Sequence, residues 1–227
     1  MHIPDGFLSP QVAAGTAVVA AGAVGIGLHR AGRQLDDRQV PLLGVTGAFV
    51  FAAQMINFPV AGGTSGHFLG AALATVLLGP WLACLVLAVV LATQSFVFAD
   101  GGVSALGANV VDMGVVGALV AGGLMLAARR VLPRRRGVLL GVAGAGAWLA
   151  VVAGAAATSV CLALSGTVPL GTVLPAMLAV HVVIGVGEAV ITVAAVSALM
   201  AARPDLIGGW AAPERAGARL LPLPQEA

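Results

Sequence analysis

From residue 68 to residue 99 the sequence is almost wholly apolar; as one α-helix it would be about 50 Å long, against a bilayer core of about 30 Å. Gly79-Pro80-Trp81 supplies a turn and an interface signal near its middle. The stretch therefore divides into a short span, 67–78, and a full one, 81–99. Further apolar runs cover 12–28, 40–56, 108–128, 138–162 and 177–202, which makes seven spans. Charged residues are only 9% of the chain and hydrophobic ones 59%, too little polar surface for a soluble domain. The chain reads as an all-α polytopic membrane protein, a seven-transmembrane-helix bundle in a lipid bilayer. Its 32 glycines fall largely within the apolar runs, where small residues let helices approach closely.

Positive charge tests the count. With the N-terminus outside, seven spans put all eleven arginines on the cytoplasmic side, whereas merging spans three and four would put the Arg129 to Arg136 cluster outside. The expected location is a prokaryotic inner or plasma membrane, multi-pass, with a cytoplasmic C-terminus. Residues 1–202 form the membrane domain, and 203–227, with Arg203, Arg215, Arg219 and several prolines, a short cytoplasmic tail. The net charge of +2 is spread over short loops, which is no nucleic-acid signal. Cys84 and Cys161 lie within spans and read as packing residues, and Trp81, Trp148 and Trp210 as interface anchors. No phosphate-binding loop is present, so ATP is not expected to bind to this chain.

Between spans two and three lies QMINFPVAGGTSGH, residues 54–67. Asn57, Pro59, Gly62, Gly63 and Gly66 oppose a continuous helix there. A broken, outward-facing segment at membrane depth must be covered by protein or line a polar cavity. His67 closes the break. An outside N-terminus puts Met1 and His2 on the same side. The start lacks the basic region of a signal peptide, and His2 is not the small residue that favours initiator removal, so Met1 is expected to be retained.

A free α-amine at Met1, the main-chain nitrogen of His2 and one His2 ring nitrogen can chelate one metal ion, with His67 as a fourth nitrogen donor. Four nitrogens in a plane suit Ni(II) or Cu(II), while Zn(II) favours a tetrahedron. The competing reading has His67 capping the broken helix. Asn57 and Ser65 either hold the His67 ring or make local turns with Thr64. Asp5 either docks the N-terminal arm or closes an Asx turn with Gly6. Asp100 either supports the pocket or caps the next turn, while Asn109 and Asp112, three residues apart, can share a helical face. Gln94 reads as a helix–helix hydrogen-bonding residue. His181 and Glu188, two turns apart, need polar partners in hydrocarbon, through an interhelical network or along an ion path.

The motifs MHIPDGFLSP, NFPVAGGTSGH at 57–67, FADGGVSALGANVVDMGVVG at 98–117 and HVVIGVGEAVIT at 181–192 together resemble the membrane substrate-binding component of cobalt/nickel energy-coupling-factor transporters. The resemblance spans residues 1–202. It implies seven helices with an inserted N-terminal arm, and a divalent-metal site of Met1, His2 and His67. Asn57, Ser65, Asp100, Asn109 and Asp112 are the candidate supporting residues. It also implies a transmembrane coupling protein, cytoplasmic ATPase subunits and often a small accessory membrane protein; this chain would be a transport component, not an enzyme. Pro4-Asp5 stands where cobalt-type members often carry Met-Glu, and the four-nitrogen chemistry favours nickel. Ni(II) is the expected transported ion. Co(II) uptake for cobalamin biosynthesis, or membrane metal sensing, is the alternative.

Overall fold

The computed structural model describes residues 1–35, 39–60 and 64–207, and of 34, 58–60, 64 and 65 the main chain only. Arg38, Gly62, Gly63, Trp210, Arg215 and Arg219 lie outside the described residues.

Hydrocarbon satisfies no peptide group, so an apolar chain closes its hydrogen bonds within helices. Seven are described: α1 (Pro10–Gln34), α2 (Gln39–Gln54), α3 (Ala71–Leu78), α4 (Pro80–Phe98), α5 (Leu106–Val131), α6 (Arg136–Leu164) and α7 (Leu170–Ala202). Five of them, α1, α4, α5, α6 and α7, are long and apolar enough to cross a membrane. The protein is an all-α polytopic membrane protein, and of the seven expected spans five are helices of full crossing length among the described residues. Helix α2 has 16 residues, and span three becomes helical only at Ala71 and runs for 8 residues, about 12 Å.

Local chemistry explains the boundaries. Ser9 caps α1, its Oγ accepting from Val12 N at 3.4 Å, and Pro10 follows at the first turn, where its missing N–H costs nothing. Gly79, at φ 79°, turns α3 into α4, and Pro80 starts the latter, as the Gly-Pro-Trp signal predicts. Helix α7 begins at Leu170, seven residues before the expected 177, and continues through Pro175. That proline removes one intrahelical bond, while Val173 and Met177 on either side are buried and hold the helix in place. The Trp148 ring covers Gly185, and its Nε1–H donates to Val182 O at 3.1 Å. Cys84 and Cys161 are free and buried, as expected.

The break after α2 forms an antiparallel pair, β1 (Phe58–Val60) and β2 (Thr64–Gly66), with Pro59 opposite Ser65. Residue contacts set its depth. The arm meets the start of α5 through Ile3 and Asn109 and the start of α7 through Phe7 and Thr167, so these ends lie together. The described arginines, near the ends of α1, α5 and α7 and the start of α6, therefore gather at the opposite end of the bundle. Just beyond β2, Leu69 and Gly70 bond to Glu188, about 27 Å along α7 from its first residue. The hairpin thus returns the chain to mid-bundle, where α3 begins. Contacts with α4, α5, α6 and α7 surround it, and Ala71 to Val76 are all buried.

Where α5 crosses α1, Gly107 lies against the main chain of Ala17; a Cβ there would come within 2.5 Å of Ala17 Cα. Gly107→Val is therefore expected to cost about 1–3 kcal/mol by overpacking, seen as a lower melting temperature in detergent. Gly15→Ala, on α1 with nothing within 4 Å, is expected to be neutral or mildly stabilising. Equal melting temperatures for the two variants would reject the close α1–α5 contact.

Candidate metal centre

The site is built from main chain before side chains. Residues 1–9 form an arm whose first and third residues, Met1 and Ile3, are fully buried. Buried peptide groups need partners, and Asn109 supplies two. Ile3 N donates to Asn109 Oδ1 at 2.8 Å, and Asn109 Nδ2 donates back to Ile3 O at 3.2 Å. Gly102 N donates to the same carbonyl at 2.9 Å. Gly102 permits the approach, since a Cβ there would sit 2.3 Å from Asp5 N. Asp5 takes the docking role: its Oδ1 accepts from Ser104 N at 2.8 Å and Ser104 Oγ at 2.5 Å, which holds its carboxyl below the usual range. Thr167 Oγ1 donates to Phe7 O and ties down the arm's far end.

So anchored, the arm brings His2 against His67. Their ring centroids are 4.5 Å apart, with planes 29° from parallel, and both residues are buried. His67 Nδ1 lies 2.7 Å from Phe68 O. A carbonyl only accepts, so Nδ1 carries the proton and Nε2 carries the lone pair. That Nε2 is buried and has no hydrogen-bond partner among the described residues. The capping role considered for His67 is thus confined to the neighbouring carbonyl, and its other nitrogen is left for a ligand.

Burial holds the nearby bases neutral. The Met1 amine is lowered from 8.0 to about 4 by burial, against the opposing pull of Asp100 and then Asp112. His2 is lowered from 6.5 to about 3, by burial first and the adjacent amine second. His2 Nε2 lies 3.7 Å from Asp100 Oδ2; with a neutral imidazole and a separation beyond hydrogen-bond length, this is a dipolar contact rather than an ion pair. Burial raises the Asp100 carboxyl, while the amine and a hydrogen bond from Asn57 pull it down. Asp100 and Asp112 both lie near enough to the amine to oppose the lowering of its pKa.

The supporting residues divide differently from the expectation. Asn57 does not hold His67; its Nδ2 donates to Asp100 Oδ2 at 3.0 Å. The side chain of Ser65 lies outside what is described, although its main chain belongs to β2. Asn109 and Asp112 do not serve one pocket wall. Val110–Val116 is π-helical, and the wider turn separates them: Asn109 faces the arm, and Asp112 faces α6. There Thr158 Oγ1 donates to Asp112 at 3.2 Å, with Cys161 Sγ at 3.6 Å. Gln94 is fully buried, and its side-chain amide has no partner among the described residues, contrary to the expected helix–helix bond. His181 is buried on α7, with Nδ1 donating to Met177 O at 2.8 Å. Among the described residues, no three His, Cys, Asp or Glu side chains group at metal-binding distance. The set gathered here has two imidazoles, and its remaining nitrogens belong to the main chain.

Sequence reasoning missed Gly154, which lets α6 lie close to the main chain of α5: a Cβ there would lie 3.1 Å from Asp112 O. It also missed Gly102, for which the adjacent glycines after Asp100 were the available signal.

Comparison with known proteins agrees with this architecture. The family model described as cobalt uptake substrate-specific transmembrane region, CbiM, matches residues 2–206. A putative metal transport protein of Haloquadratum walsbyi is 40% identical over 209 residues, 91% of this chain and 93% of that protein. The fused nickel transport protein NikMN of Rhodobacter capsulatus is 36% identical over 239 residues, 95% of this chain and 67% of its own length. A crystal structure of a truncated transition metal transporter superposes with a TM-score of 0.81 at 32% identity, covering 89% of this chain and 99% of that one. The chain belongs to the CbiM/NikM family, the polytopic membrane substrate-binding components of cobalt/nickel energy-coupling-factor transporters.

Proposed function

We propose that this chain captures Ni(II) at the outer face of a prokaryotic inner or plasma membrane, for ATP-driven uptake. One observation carries the reading: two buried imidazoles, His2 and His67, stack beside the buried Met1 amine, with His67 Nε2 unpartnered among the described residues. The ligands are the Met1 amine, the main-chain and one ring nitrogen of His2, and the His67 imidazole. Asp100 and Asp112 offset the charge of the ion, Asn109 holds the arm, and Asn57 acts through Asp100. Ser65 is kept among the supporting residues for its position in β2, two residues before His67.

Nickel is favoured by chemistry. A deprotonated main-chain nitrogen and a planar four-nitrogen set suit Ni(II) better than Co(II). The nickel-transporting NikMN relative, aligned over 95% of this chain, supports the same choice. Co(II) uptake for cobalamin biosynthesis is the alternative substrate reading. A membrane metal sensor is the alternative class, and it would bind metal without ATP-dependent accumulation.

In the proposed topology residues 1–202 form a seven-helix bundle with the N-terminus outside, α2 and the hairpin with α3 each completing a crossing. Residues 203–227 are a cytoplasmic tail. Gathering of the arginines at the end opposite the arm supports this orientation. A transmembrane coupling protein, cytoplasmic ATPase subunits and a small accessory membrane protein complete the transporter, and they, not this chain, use ATP. Hydrated Ni(II) exchanges its waters for the four nitrogens, with the proton of the His2 main-chain nitrogen released to water; a partner-driven rearrangement then opens the site inward.

Adding one residue before Met1 moves the amine out of chelating distance of His2. Ni(II) binding by the folded, extended protein is therefore expected to weaken by orders of magnitude in calorimetry, and unchanged affinity would reject the chelate. His67→Ala is expected to lower metal occupancy far more than His181→Ala; the reverse order would move the site toward α7.

A further inference from the structure

Glu188 is buried in the middle of α7, on the face that also carries His181, Gly185 and Thr192. A carboxyl group so placed needs donors, and it finds them in main chain rather than in a cation. Leu69 N donates to Oε2 and Gly70 N to Oε1, both at 2.7 Å. From the opposite side, Gln54 Nε2 on α2 donates to Leu69 O at 2.7 Å. Gly70 is fixed as well: its φ is +78°, and an added Cβ would lie 2.7 Å from Val50 Cγ2. Residues 69–70 are thus gripped between two helices, directly after His67.

The peptide unit between residues 68 and 69 links this grip to the imidazole. Its N–H donates to Glu188, and its carbonyl accepts from His67 Nδ1. A peptide group is planar and rigid, so Glu188 sets the direction of the Phe68 carbonyl. That carbonyl in turn sets the rotation of the His67 ring and the aim of Nε2. Hydrogen bonds in such a chain also polarise one another, so an acceptor at the N–H strengthens the carbonyl as a partner for Nδ1–H. Groups behind a metal-binding imidazole act in this way on its orientation and basicity.

We propose that Glu188 is the positioning residue for His67, acting through the 68–69 peptide, and that it links α7 to the metal pocket. The inference rests on His67 being a metal ligand. It assigns Glu188 neither a bond to the ion nor a place on its route. Gln54 is the counterpart on α2, bracing the same short segment.

The test uses the full chain in detergent, Ni(II) alone as probe, and two readouts: affinity by calorimetry and coordination by nickel-edge X-ray absorption. Glu188→Gln keeps the shape but offers one acceptor to two N–H groups. It is expected to bind Ni(II) roughly tenfold to hundredfold more weakly, the range seen when a group orienting a metal ligand is replaced, with a distorted four-nitrogen spectrum. Thr192→Val, one turn along the same buried face, is expected to leave both readouts at wild type. Wild-type affinity and spectrum in Glu188→Gln, whatever its melting temperature, overturn the proposal and leave Glu188 a structural cap. Should Glu188→Gln fail to fold, Glu188→Asp keeps the carboxyl with a shorter reach, and a wild-type spectrum there overturns the proposal equally. His67→Ala in parallel separates the two readings. If it leaves the nickel spectrum unchanged, the His67 site itself falls; if it alters the spectrum while Glu188→Gln does not, only the role of Glu188 falls.

Discussion

Everything at the candidate site depends on main chain lying inside the bundle with its hydrogen bonds made. Ile3 is buried, and an unpaired peptide group there would cost about 1–3 kcal/mol. Asn109 meets both its N–H and its carbonyl, and Gly102 adds a third bond because it has no side chain to block the approach. Without that pairing the buried peptide groups of Ile3, next to Met1 and His2, would lose their partners. The arm is therefore a strand-like insert held by the loop before α5. Met1 and His2, the candidate ligands, arrive at the end of a chain that is ordered by pairing rather than by packing alone.

The second half of the site is held by the same logic from the other side. The hairpin brings the chain back into the bundle, and a helix as short as α3 is tolerated because protein surrounds it. Just before it, Leu69 and Gly70 donate to Glu188 of α7 and Leu69 accepts from Gln54 of α2, so the His67 segment is fixed by helices far apart in sequence. Two immobile pieces of main chain thus face each other across a gap lined by neutral nitrogen bases. For a small, strongly hydrated dication, such preorganised donors offset the loss of water at little ordering cost.

Much of this was legible in the sequence. The helices, the division at Gly79-Pro80, the break at 54–67 and the convergence of Met1, His2 and His67 all follow from hydropathy, turn chemistry and the placement of arginines. What failed did so for physical reasons. Span three was begun at 67 because hydropathy counts apolar residues and not conformation, while the helix starts only at Ala71, after Leu69 and Gly70 have bonded to Glu188. Helix α7 was begun too late because Pro175 reads locally as a break, while packing on both sides carries the helix through it. Asn109 and Asp112 were assigned one face because spacing assumes an α-helix, and the π-helical turn rotates them apart.

The sequence by itself determined that this chain lives in a membrane, where its charges lie and which nitrogen donors it owns. These are properties of composition and order along the chain, and no partner residue is needed to read them. Only the tertiary structure decided how those donors are held. Asn109 with Ile3 and Glu188 with the 68–69 peptide join residues more than a hundred positions apart. Such pairs are selected by the crossing of helices and the shape of the space between them, and neither property is carried by any local pattern.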